Sequence, residues 1–330
     1  MKIRPISAVL GLTAALVYLN ACVPSDPAAN SEDEVVAISN TDLVQEGLAK
    51  SEQGDYQGAI ASLSKAIELM PESAEAYLSR GQIYSESGNS LAAVADFTQA
   101  LKLAPDNAQV YYNRGIDYSQ LQEEERAIAD FTQALKLDTR LTQAYINRGT
   151  LYFQQGEDEQ ALADLTQALD IEPSIVAYYN RGLIHGQLGN NQEAIADFTQ
   201  AIEQDRDFAP AYVNRGNAYF QKGNNQEAIV DFTKALQLNP DDALAHNNLG
   251  LVYLQMEEYH RALSSFTQAI ELDSSYAQAY YNRGLAHQRL GTSARSDFQQ
   301  AATLFLEQGM LDAYQETLRQ MREMESKRSQ

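Results

Sequence analysis

PAYVNRGNAYFQKGNNQEAIVDFTKALQLNPDD, Pro210–Asp242, carries two helical signatures in succession. Tyr212, Arg215, Gly216 and Tyr219 fall at offsets 0, 3, 4 and 7, one face of a helix. Ala228, Phe232 and Ala235 repeat the pattern at 0, 4 and 7. Gly223 interrupts the chain between the two, and Pro240 stands where the second must stop. The small residues Gly216, Ala228 and Ala235 let two helix backbones approach, while the tyrosines and Phe232 fill the space beside them. One such hairpin leaves its apolar face uncovered, and stacked copies cover it.

Glycines place eight copies of this unit: Gly47, Gly81, Gly115, Gly149, Gly182, Gly216, Gly250 and Gly284, spaced by 34 residues and once, after Gly149, by 33. The second halves agree, from Ala59/Leu63/Ala66 and Ala93/Phe97/Ala100 through to Ala262/Phe266/Ala269, and Pro71, Pro105, Pro173 and Pro240 close several copies. This pattern resembles the tetratricopeptide repeat (TPR) family. The resemblance implies an all-α solenoid of about eight helix-turn-helix repeats in a right-handed superhelix, over residues 40–303. In the last copy Ala294, Phe298 and Ala301 arrive two residues early after Gly291. Met310, Leu311, Tyr314, Leu318 and Met321 then mark one face of a further helix, so residues 304–330 read as a capping helix and tail.

The chain has 330 residues, no tryptophan and a formal net charge of −21. That acidity, with no basic stripe, argues against a nucleic-acid partner. Lys2 and Arg4 precede an apolar run, Ile6–Leu19, that is short for a transmembrane helix. The run ends in Leu19-Asn20-Ala21-Cys22, and Cys22 is the only cysteine. This resembles a bacterial lipoprotein signal, in which residues 1–21 are removed and Cys22 carries the lipid. Residues 22–39, with Pro24, Pro27 and the run Glu32-Asp33-Glu34, read as a flexible acidic tether. The resemblance implies a bacterial cell-envelope protein, lipid-anchored to a membrane and facing the extracytoplasmic side. A lone cysteine permits no disulfide within the chain, so packing alone must hold the fold.

Two ladders stand out against the repeat background. The residue before the glycine is Arg80, Arg114, Arg148, Arg181, Arg215 or Arg283, and the residue before the second-half aromatic is Asp96, Asp130, Asp164, Asp197, Asp231 or Asp297. The two copies without arginine, at Glu46 and Leu249, carry Ser62 and Ser265 in place of the aspartate. Joint presence and joint absence predict an Arg–Asp salt bridge between the two helices of each repeat. Pairing each aspartate with the next arginine fails at Ser62/Arg80, Asp231/Leu249 and Ser265/Arg283.

The second ladder is Asn113, Asn147, Asn180, Asn214, Asn248 and Asn282. It resembles the asparagine ladder in the superhelical TPR segment of O-GlcNAc transferase, which implies that these amides face a concave groove and grip the backbone of an extended peptide. An amide supplies donors and an acceptor, so it can do so without reading side chains. Tyr112, Tyr179 and Tyr281, with Ile146, Val213 and Asn247, are expected beside it, and Gln120, Gln154, Gln187, Gln221 and Gln255 further along. That makes a groove of aromatic, aliphatic and amide character with little charge. The alternative is that the asparagines brace neighbouring helices, and both can hold.

The chaperone-tail-binding TPR class uses a lysine-containing carboxylate clamp, and no lysine occupies the matching sites here. His185, His246 and His287 stand where other copies have tyrosine, so no metal site is expected, and no nucleophile–base pair or phosphate loop points to an enzyme or a cofactor. The reading is a membrane-tethered scaffold or adaptor for protein partners, resembling TPR lipoproteins of envelope assembly. A photosystem or membrane-complex assembly factor and a self-assembling structural spacer are the alternatives.

Overall fold

A computed structural model describes residues 39–328, with side chains to residue 324. The signal, Cys22 and the tether up to residue 38 lie outside the described residues. Seventeen helices and no strand occupy the described part. They run α1 (Asn40–Glu52), α2 (Tyr56–Leu69), α3 (Ala74–Glu86), α4 (Ser90–Leu103), α5 (Ala108–Gln120), α6 (Glu124–Leu137), α7 (Thr142–Gln155) and α8 (Asp158–Ile171). Then come α9 (Ile175–Gln187), α10 (Asn191–Gln204), α11 (Ala209–Gln221), α12 (Asn225–Leu238), α13 (Ala243–Gln255), α14 (Tyr259–Leu272), α15 (Ala277–Arg289), α16 (Arg295–Glu307) and α17 (Leu311–Arg328). None is long and apolar enough to cross a membrane.

Each odd helix pairs with the even helix after it, and each even helix packs on the odd helix that follows. Odd helices of successive repeats also approach one another, as α7 with α9 and α9 with α11, whereas no two even helices come comparably close. The odd helices therefore form the inner layer of a curved stack. Past residue 303, α16 continues to Glu307 before α17 begins. Met310, Ala313 and Tyr314 pack on Leu304 and Phe305, covering the last repeat.

Sequence dictates the hairpins locally. Asp55, Ser73, Asn89, Asn107, Ser174 and Asp242 cap helix N-termini with side-chain oxygens. Gly223 turns between α11 and α12 with φ +79°. In the third and seventh copies Gln122 and Glu257 take the same left-handed conformation, at a cost of about 1 kcal/mol each. Close helix approach requires the glycine of the repeat signature: a Cβ on Gly115 would lie 2.7 Å from the Phe131 ring. Phe97, Phe131, Phe198, Phe232, Phe266 and Phe298 are all fully buried, with Leu63 and Leu165 in their place in the first and fourth copies.

All six Arg–Asp pairs form within their repeats. Arg148 Nε and Nη2 donate to the two carboxylate oxygens of Asp164, both at 2.7 Å, and the other five pairs repeat this fork. The third guanidinium nitrogen reaches the preceding repeat. Arg148 Nη1 donates to Thr132 at 2.9 Å, and Arg80, Arg114, Arg181, Arg215 and Arg283 make the same bond to Ser64, Thr98, Thr166, Thr199 and Thr267. Tyrosines three residues before and four after flank the guanidinium, as Tyr145 and Tyr152 do at 5.8 and 5.9 Å from Arg148. His185 and His287 take the second tyrosine's place beside Arg181 and Arg283. Burial alone would lower the Arg148 pKa, but the bonds to Asp164 outweigh it and raise it above its ordinary value. The first copy substitutes Lys50, which bonds Glu46 and the Ser62 hydroxyl.

One core position breaks the pattern. Asp117 is fully buried where other copies have Ile83, Leu151, Ile184 or Val252, and neither of its oxygens has a hydrogen-bond partner. Burial pushes its pKa up to about 6.

Two outcomes are expected from these interiors. Arg148→Leu alone leaves Asp164 buried and unpaired and costs about 3–5 kcal/mol in urea denaturation. Adding Asp164→Ser recovers most of that loss, because the double variant reproduces the Leu249/Ser265 pair of the seventh repeat; a double-variant loss equal to the sum of the losses of Arg148→Leu and Asp164→Ser alone would show no coupling. Asp117 has a folded pKa above its unfolded value, so its ionisation penalises the fold as pH rises from about 4 through 6. Asp117→Asn should therefore gain on the order of 2 kcal/mol at pH 7.5 and nothing at pH 4, read as the difference in melting temperature.

Candidate functional site: the asparagine row of the inner helices

The six asparagines sit on odd helices, one per repeat from α5 to α15. In the five from Asn147 onward the amide nitrogen is turned towards the preceding repeat. Asn147 Nδ2 donates to the Tyr112 hydroxyl at 3.4 Å, and Asn180 Nδ2 to Thr150 at 3.0 Å. Asn214 Nδ2 donates to the Tyr179 hydroxyl at 3.1 Å and to the Pro210 carbonyl at 2.9 Å, which uses both its protons. Asn248 donates to Asn217, and Asn282 to Asn247. The row is therefore a brace between successive odd helices, the alternative that the sequence leaves open.

The oxygens divide the row in two. Asn113 and Asn282 are buried, and their Oδ1 atoms accept from Gln109 and Gln278, four residues earlier on the same helix. Asn248 Oδ1 accepts from Asn247 at 3.3 Å. In Asn147, Asn180 and Asn214 the side chain is half-buried, and no protein donor among the described residues reaches Oδ1. Three consecutive repeats thus present an acceptor oxygen whose amide is already fixed from behind.

The tyrosines expected beside the row contribute differently. Tyr112 packs on Phe131 with ring centroids 5.8 Å apart, and Tyr179 on Phe198 and Phe208 at 5.8 and 5.0 Å. Tyr281 packs on Phe298 and Phe305. Their rings are wedges between the layers, and for Tyr112 and Tyr179 the hydroxyl receives the next repeat's asparagine. Burial pushes the Tyr112 hydroxyl up to about 12, partly offset by the Asn147 bond, so it stays protonated. Ile146, Val213 and Asn247 occupy the same position and are also buried.

Sequence reasoning missed the second partner of each arginine and the acceptors Thr150, Asn217 and Asn247. A signal for the first was present, since serine or threonine follows the second-half aromatic or leucine at Ser64, Thr98, Thr132, Thr166, Thr199, Thr233 and Thr267. It is uninformative as covariation because Thr233 persists where Leu249 offers no donor. Outside the row, an open depression of about 570 Å³ lies between the loops after α4 and α6, lined by Pro105, Asp106, Gln109 and Asp138 among others.

The bracing geometry sets an order of costs. Asn282→Ala removes a buried bond at 2.9 Å and strands Asn247, for a loss of about 1–3 kcal/mol. Asn147→Ala removes a long bond at a half-exposed site and should cost less than about 1 kcal/mol. Urea titration of both variants checks the order, and a larger loss at Asn147 would contradict it.

Family models described as TPR repeat match residues 47–88, 81–122, 216–257 and 253–291. Models described as tetratricopeptide repeat match 142–175, 175–208 and 108–141. No curated protein matches the chain. A tetratricopeptide repeat protein from Parabacteroides merdae is 24% identical over 75% of this chain and 98% of its own, with a TM-score of 0.54. The C-terminal part of a TPR repeat-containing protein from Cytophaga hutchinsonii is 16% identical over 72% and 98%, with a TM-score of 0.62. Both likenesses are of fold. YrrB, described as a TPR protein with an unusual peptide-binding site, is 25% identical over 56% of this chain and 96% of its own, with a TM-score of 0.52.

Proposed function

We propose, on the premise that this chain belongs to the tetratricopeptide repeat family, that it is a membrane-tethered adaptor holding an extended segment of a partner protein along its inner helices. Such arrays are scaffolds for protein–protein interaction, and the binding surface here is the asparagine row. One observation carries the reading: Asn147, Asn180 and Asn214 each present an unengaged Oδ1 from an amide held by the repeat behind it. An extended peptide offers backbone N–H groups along its length, and acceptors fixed in advance bind them without first losing rotamer freedom. The likeness to YrrB supports a peptide as the ligand class. The tether is the lipid on Cys22, read from Leu19-Asn20-Ala21-Cys22, and it places the adaptor at a bacterial envelope membrane, where it serves assembly of an envelope or membrane complex.

The test is a crosslinking pull-down from membranes with the full chain and with its Asn147→Ala/Asn180→Ala/Asn214→Ala variant. The partner set captured by the parent is expected to be lost from the variant while its circular dichroism and melting curve stay cooperative. An unchanged partner set from a folded variant would refute the groove as the binding surface.

A further inference from the structure

The asparagine row belongs to a wider stripe. On each odd helix the residue four before the asparagine and the residue seven after it share its face. The structure confirms the first relation directly, since Gln109 bonds Asn113 and Gln278 bonds Asn282. It ties the second to the seam between repeats, since Glu86 accepts from Ser51 of α1, and Gln120 from Ser90 of α4. Three positions per repeat therefore run the length of the inner layer, and their chemistry is graded.

At the α1 and α3 end the stripe carries Glu52, Glu75 and Glu86. Across α5 and α7 it is entirely amide: Gln109 and Gln143 before the asparagines, Gln120 and Gln154 after them. Across α9, α11 and α13 the leading position becomes Val176, Pro210 and Leu244, while the trailing position stays glutamine. Val176 and Leu244 are 45% and 50% exposed, although they are aliphatic. At α15 the trailing position is Arg289, exposed and without an ion-pair partner among the described residues. The groove is thus uncharged only in its middle, with three carboxylates at one end and one guanidinium at the other.

We propose that this stripe orients its ligand: the occupant is an extended protein segment with basic residues at one end, small polar residues next, aliphatic side chains after them and a carboxylate at the far end. This rests on the peptide-adaptor reading above and adds to it a direction and a charge pattern. The basic end lies against α1 and α3, where Glu52, Glu75 and Glu86 attract it. The aliphatic part covers Val176 and Leu244, and the carboxylate meets Arg289. The same carboxylates repel a segment docked the other way round, so complementarity and rejection fix one orientation.

The experiment uses the full chain and two labelled synthetic peptides of identical composition. One places lysines next to a serine–glutamine stretch and aspartate beyond a leucine–valine stretch, and the other exchanges the lysines and the aspartate. Exchange breaks the match in either chain direction, because the charges change sides relative to the aliphatic block. Fluorescence anisotropy is expected to show the matched peptide binding at least about tenfold tighter at low salt, with the difference shrinking as salt rises. Glu52→Gln, Glu75→Gln and Glu86→Gln together should erase most of that preference while leaving an uncharged peptide of the same core bound as before. A benzophenone at the lysine end should crosslink to residues of α1–α4.

Equal affinity for the two peptides, or crosslinks confined to α13–α16, would overturn the orientation while leaving peptide binding intact. No binding of any peptide, including the uncharged one, would overturn the adaptor reading itself. If sedimentation shows a second copy filling the stripe that no peptide displaces, the proposed occupant is wrong.

Discussion

A guanidinium has five N–H donors and no acceptor, so burying one obliges the fold to surround it with oxygen. Each repeat meets that obligation in the same way. Two nitrogens close the fork on the aspartate of the partner helix, and the third takes the hydroxyl of the preceding repeat. One side chain thereby joins three helices: its own, the next one, and the one before. The flanking tyrosines exclude water from the fork and face its charge with their rings. Six of the eight repeats share this joint, and it recurs there with the same atoms in the same roles.

The asparagines depend on it in turn. Where an arginine holds its odd helix to the even helices on both sides, as Arg148 and Arg215 do, successive odd helices lie close enough for amide and phenol to bond across the gap. The two ends of the amide are then in different positions. Nitrogen closes the inner layer, and in Asn147, Asn180 and Asn214 the oxygen has no protein donor among the described residues. Asn282, both of whose atoms are consumed, is buried and belongs to the interior, whereas Asn248 is engaged at both atoms and half-buried.

Most of the architecture was legible in the sequence, because eight aligned copies average out local ambiguity. Glycine spacing placed every hairpin, and the joint loss of arginine and aspartate at Leu249 and Ser265 identified the ion pair. The hydroxyl partner was not legible, since Thr233 keeps the hydroxyl where Leu249 offers no donor and the position does not change with the arginine it would meet. The wedge tyrosines were assigned to the groove because aromatic character alone does not distinguish a packed face from an open one. Ile146 and Val213 in the same column held the corrective, being apolar side chains that gain from burial. Asp117 could be read from sequence as a lone acid in an aliphatic column, but its full burial required the neighbouring helices.

The seventh repeat carries Leu249 where the others have arginine, so Thr233 of the sixth receives no guanidinium and the joint between α12 and α13 is the one without that bridge. Leu249 is instead buried in the continuous apolar cluster that joins Phe232 and Ala235 of α12 to Ala245 and Val252 of α13. This joint therefore exchanges a charged bridge for apolar burial, a contribution that added salt does not screen and that weakens on cooling.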